Sequence, residues 1–150
     1  CSSDLTYRSI ADRSGRVIEG YSMGGYGSAH LGFKYPELFG TVVISAGAVK
    51  PGARIDHVNN ADYPEEEPQF LAEKNADKLR QTHIRIGVGD QDYLFPANRE
   101  LHELLDKMHI EHQYEVVPGV KHSGTAYYKR LGTAGFQFHR KALESAADRK

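Results

Sequence analysis

Apolar and polar positions along the chain fall into two kinds of run. Short β-branched, nearly continuous apolar runs predict strands at Arg16 to Glu19 leading into Gly20, at Thr41 to Ser45, at Ile84 to Val88 and at Tyr114 to Val117. Thr41 to Ser45 has so few polar atoms that it predicts a strand covered on both faces of a parallel sheet. Between the strands, apolar residues recur at helical spacing. Gly24 to Tyr35 carries Ala29, Leu31 and Phe33 and must stop before Pro36, whose ring disfavours a helical predecessor. Asn98 to Met108 sets Leu101, Leu104, Leu105 and Met108 at i, i+3, i+4 and i+7, which predicts one apolar helix face. Further helices are expected from Gln69 to about Arg80 and from about Thr125 to Ala147, the last broken at Gly132 to Gly135, and Asp4 to Asp12 has the pattern of a helix end. Lys50 to Pro68 is crowded with Pro, Gly and Asn and predicts a loop excursion. Strands alternating with helices imply an α/β fold, a mostly parallel sheet of about four strands with flanking helices.

Composition narrows this picture. The 150 residues, 39% hydrophobic and 26% charged, suit one globular domain able to bury a core without a staple, and the single cysteine allows no intrachain bridge. Net charge is −1 with both signs scattered, so nothing points to nucleic acid. No apolar run approaches a membrane span. Cys1-Ser2-Ser3 has the form of the processed start of a lipid-anchored chain; the plainer reading is that it marks where the sequence begins, and the compartment stays open.

The chemistry concentrates at Gly20-Tyr21-Ser22-Met23-Gly24-Gly25, a G-x-S-x-G pattern where a strand should end and a helix begin. In such an elbow the serine sits in a strained turn, and flanking glycines are expected because a Cβ would collide with strand or helix. The N–H of Met23, in the first turn of the helix, is a candidate oxyanion donor. A serine hydroxyl needs a base, and that base needs an acid to hold its tautomer. Among eight histidines, His122 follows the last predicted strand in a short loop before the closing helix. The loop after Ile84 to Val88 offers two acids, Asp90 and Asp92, at the strand end where ligands gather in open parallel sheets. Tyr21, Tyr93, Leu94 and Tyr127 neighbour these residues and are candidate substrate-binding walls.

Other patterns are weaker. His109-Ile110-Glu111-His112 lacks the i, i+4 histidine pair of a helical zinc site and reads as a polar turn before a strand. Gly87-Val88-Gly89 lacks the third glycine of a dinucleotide fingerprint, and Glu65 to Glu67 reads as a solvated face. No metal ligand set and no cofactor motif emerges.

Taken together, Arg16 to Gly27, Tyr35-Pro36-Glu37-Leu38-Phe39, Gly89-Asp90-Gln91-Asp92 and Pro118-Gly119-Val120-Lys121-His122 resemble the esterase family of α/β-hydrolases that includes esterase D, feruloyl esterases and the antigen 85 mycolyltransferases. The resemblance covers most of the chain. It implies that the acid is the last residue of the Gly-x-x-Asp tetrad, Asp92, and that the sequence corresponds to the C-terminal catalytic portion of the fold. Family members carry several strands ahead of the elbow, including a loop with a second oxyanion donor; twenty-one residues precede Ser22 here. The strand entering Gly20 is then expected to be an open edge, a place for self-association or pairing with another chain. The implied function is a serine carboxylesterase acting through an acyl-enzyme on a small-molecule or carbohydrate-linked ester. The alternatives are an acyltransferase of the same fold and a catalytically silent binding or assembly module.

Overall fold

In a computed structural model of the chain, described for residue 10 and residues 12–49, 54–55, 58–59 and 64–147, four strands form one sheet. They are β1 (Val17–Tyr21), β2 (Thr41–Ser45), β5 (His83–Gly89) and β6 (His112–Val117), all parallel, in spatial order β1-β2-β5-β6. The helices are α1 (Met23–Lys34), α2 (Pro68–Lys74), α3 (Ala76–Leu79), α4 (Phe95–Lys107), α5 (Gly124–Leu131) and α6 (Ala134–Ala147). Among the described residues β1 and β6 are the sheet edges.

Alternation along the strands gives the sheet two unlike faces. Val42, Ile44, Ile84 and Ile86 join Phe33 of α1, Leu71 of α2, and Leu101 and Leu105 of α4 in the main apolar core. Val117, Val120, Tyr127 and Leu131 form a smaller cluster with Tyr21 packed against it. The alternate positions on the strands include Thr41, Ser45 and Arg85, all buried.

Several boundaries move for identifiable reasons. Helix α4 starts at Phe95 rather than Asn98 because Pro96, with its helical φ and no N–H to satisfy, fits the first turn. The helix expected from Gln69 to Arg80 is two helices joined at Asn75, whose side-chain amide donates to the Phe33 carbonyl at 2.8 Å. The closing helix breaks at Gly132, which takes φ +59. Within the Lys50 to Pro68 excursion the structure describes a two-stranded antiparallel ladder, β3 (Arg54–Ile55) with β4 (Val58–Asn59), and a 3-10 turn at Pro64–Glu66. The helix expected over Asp4 to Asp12 lies mostly outside the described residues; Asp12 itself is extended and caps a 3-10 turn, accepting the Ser14 N–H.

The triple glutamate is not a solvated face. Glu65 is exposed, but Glu67 is buried and Glu66 accepts two hydrogen bonds from Lys34 Nζ at 2.6 and 2.7 Å. Glu66 is thereby a clip between the segment entering α2 and the end of α1.

Candidate active site

Ser22 lies between the last residue of β1 and the first of α1 with φ 58 and ψ −114, a conformation costly for a residue with a Cβ. Neighbouring backbone holds it there: its N–H donates to the Ser45 carbonyl at 2.9 Å, and its own carbonyl accepts from Tyr26 at 3.0 Å and Ala48 at 3.1 Å. A Cβ at Gly20 would stand 2.2 Å from the backbone of Gly24, and one at Gly25 would stand 2.7 Å from Gly47 Cα, so both glycines are required for close approach. Gly24 departs from the expected collision, since a Cβ there meets nothing within 4 Å. The second tight glycine of the elbow is therefore Gly25.

The three residues singled out from strand ends converge. Ser22 Oγ is 2.9 Å from His122 Nε2, and His122 Nδ1 is 2.9 and 3.0 Å from the two Asp92 carboxylate oxygens. The Asp92 carboxylate is buried, and its Oδ1 also accepts the Leu94 N–H at 2.8 Å. The other aspartate does something different. Asp90 Oδ1 accepts the Gly119 N–H at 2.7 Å, fixing the turn, with Gly119 at φ +73, from which the His122 loop departs. Asn98 was not legible as a site residue; fully buried, it bonds both the N–H and the carbonyl of Gly47 and so pins the loop after β2 to α4.

Two rings lie against the imidazole. The Tyr21 ring is 5.2 Å from that of His122, and Tyr93, 72% exposed, is 4.6 Å away. Burial, followed by the negative charge of Asp92, pushes the Tyr21 hydroxyl up to about 12, so it stays protonated beside the histidine at neutral pH. Two of the expected walls are corrected by burial. Tyr127 is fully buried in the smaller core because its helical phase points it at the sheet, and the exposed tyrosine of the pair is Tyr128. Leu94 is likewise buried, and its role at the site is the backbone N–H it gives to Asp92. Met23 opens α1, and the Ser22 side chain does not cap that helix, so the first N–H groups of α1 follow the serine in the chain without an intrahelical acceptor.

A sequence model of the family described as "Putative esterase" matches residues 5–138. No curated protein matches in sequence. Among solved structures, a ferulic acid esterase superposes with TM-score 0.76 at 22% identity, over 95% of this chain and 56% of its own. The fluorophosphonate-binding serine hydrolase F of Staphylococcus aureus, solved with substrate bound, gives 0.76 at 20% identity over 92% and 59%. An S-formylglutathione hydrolase from the same organism gives 0.75 at 18% over 92% and 59%. The chain therefore spans 56–59% of the length of these three, and the likeness at such identities is one of α/β-hydrolase fold.

Proposed function

The chain belongs to the esterase family whose sequence model it matches, and on that premise we propose that it is a serine carboxylesterase with Ser22 as nucleophile, His122 as base and Asp92 as the group that orients the base. The observation that carries the proposal is the unbroken hydrogen-bond chain from Ser22 Oγ through the imidazole to a buried carboxylate, 2.9 Å on the serine side and 2.9 to 3.0 Å on the acid side.

In this reading Ser22 Oγ attacks the ester carbonyl carbon while His122 Nε2 takes the hydroxyl proton. The tetrahedral oxyanion forms beside the N-terminus of α1, where the Met23 N–H and the helix dipole stabilise negative charge. The imidazolium returns its proton to the leaving alcohol as the carbon–oxygen bond breaks. Water, deprotonated by the same imidazole, then attacks the acyl-enzyme; the bond from carbon to Ser22 Oγ breaks as the imidazolium returns the proton to Oγ, and the acid leaves. Asp92 keeps its proton balance throughout: it accepts from Nδ1 and offsets the imidazolium charge. Tyr93, exposed and against the imidazole, supports a planar acyl or alcohol group stacked at the mouth of the site.

The test is hydrolysis of p-nitrophenyl acetate together with labelling by a fluorophosphonate, in the native sequence and in Ser22→Ala. Turnover and labelling are expected in the first and a loss of at least about 10³-fold in the second. An unchanged rate in Ser22→Ala overturns the assignment. A feruloyl ester and S-formylglutathione, named for two of the structural neighbours, are the first substrates to compare.

A further inference from the structure

At the amino end of β6, opposite the strand ends that carry Ser22, Asp92 and His122, three metal-ligating side chains meet. His102 and Asp106 stand four residues apart on α4, and His112 opens β6. Their ligand atoms all lie within 4.8 Å of one another. His102 Nδ1 and His112 Nε2 are 2.7 Å apart, and an Asp106 carboxylate oxygen is 3.5 Å from His102 Nε2. The i, i+4 pairing sought within residues 109–112 is instead made on α4 by His102 and Asp106, with His112 arriving from the strand.

Orientation decides what the cluster can hold. His112 Nδ1 faces the Ile110 carbonyl at 2.8 Å, with Asp106 Oδ1 4.0 Å away on the same side, and a carbonyl only accepts, so Nδ1 carries the hydrogen and Nε2 presents its lone pair to His102. A backbone carbonyl on the far ring nitrogen is the usual support of a metal-bound histidine. The His102 ring is held as well, stacked on Tyr114 with centroids 4.1 Å apart and planes 12° from parallel. His112 is 1% exposed, while His102 and Asp106 are 25% and 63% exposed, so an ion can enter from the α4 side and keep water on its open positions.

We propose that His102, Asp106 and His112 bind a divalent first-row transition ion, a site separate from the esterase chemistry that clamps α4 to β6. Two imidazoles and one carboxylate suit zinc or its neighbours far better than calcium or magnesium. On binding, the hydrogen between the two rings leaves His102 Nδ1 for water while His102 Nε2 takes one up, so that both rings bind as neutral imidazoles, and the two facing nitrogens open from 2.7 Å to about 3.3 Å to fit zinc–nitrogen bonds in a tetrahedral shell.

Calorimetric titration of the full chain with Zn2+ tests this, alongside thermal melting with and without the ion. One equivalent is expected to bind and to raise the melting temperature. His102→Gln and Asp106→Asn, both on the open side of the cluster, are expected to weaken binding at least tenfold and to abolish the rise in melting temperature on adding the ion, each variant being compared with its own metal-free melting temperature. His109→Asn, next in sequence but outside the cluster, is expected to change neither. Absence of binding at about 100 μM ion, or undiminished binding in His102→Gln, overturns the site.

Discussion

Asp92 grips His122 with both carboxylate oxygens, at 2.9 and 3.0 Å from Nδ1, while one of those oxygens also takes the Leu94 N–H. The acid is thus fixed by the backbone at the start of α4 before it fixes the imidazole. Asp92→Asn keeps the shape and removes the charge that, in the proposed mechanism, stabilises an imidazolium. It is expected to fold normally by circular dichroism and to lose about 10³–10⁴-fold in kcat on an activated ester. Asp90→Asn, which only weakens the grip on Gly119, is expected to lose far less. Equal losses in the two variants would mean that the Asp90 and Asp92 roles have been wrongly divided.

The glycines of the elbow make a sharper structural prediction. Gly20→Ala brings a methyl to 2.2 Å from the Gly24 backbone, a clash that no side-chain movement relieves, so a cost of at least about 3 kcal/mol is expected. Gly24→Ala meets open space and sits in the first turn of α1, where alanine stabilises helix by up to about 1 kcal/mol. Chemical denaturation of the two variants separates them. A destabilised Gly24→Ala would contradict the packing described here.

How much of this was legible in the sequence follows from what each signal depends on. Thr41 to Ser45 is a strand to the residue because five consecutive β-branched or small side chains suit a strand covered on both faces and little else. The convergence of Ser22, Asp92 and His122 was foreshadowed because parallel topology puts all three strand ends on one rim, whatever the loops do. Contacts across the fold were not legible. Nothing in the residues themselves distinguishes Gly24 from Gly25, since the difference is the backbone of Gly47 on the other side. Tyr127 and Tyr128 look alike until the phase of α5 is known, and His102 cannot be paired with His112 without the β5 to β6 crossover that folds α4 back beside the strand.

The Lys34–Glu66 clip carries a signed pH dependence. The hydrogen bond that Lys34 donates holds the Glu66 carboxyl below its usual range, and the same bond raises the Lys34 ammonium. A carboxylate lowered on folding stabilises above its unfolded pKa, about 4.3, and that contribution is lost as pH falls through the folded value. A raised lysine stabilises below about 10.4 and is lost as pH climbs through its folded value. The clip is therefore complete across the neutral range. Glu66→Gln is expected to melt below the native chain at pH 7, by a small margin because the pair is only partly buried and water screens it, with the gap closing toward pH 3 and in high salt. A gap independent of pH would assign the loss to packing instead.

Beneath the site, Arg85 sits in β5 at 1% exposure with a single carboxylate, Glu115 of β6, 2.7 Å from Nη2. Its Nε and Nη1 have no hydrogen-bond partner among the described residues. Removing one member of such a pair costs more than removing both, because a guanidinium left alone must stay charged where water cannot reach it. Glu115→Gln is accordingly expected to cost about 2–4 kcal/mol, toward the lower end because the Glu115 side chain is 29% exposed and water can partly replace it. Arg85→Met takes away the charge along with its desolvation and fills similar volume, so a change within about 1 kcal/mol is expected. The double variant should then resemble Arg85→Met, and urea denaturation of all three closes the cycle. If Arg85→Met is the most damaging of the set, Arg85 is contributing through contacts other than Glu115, and the pair is not what holds this part of the sheet.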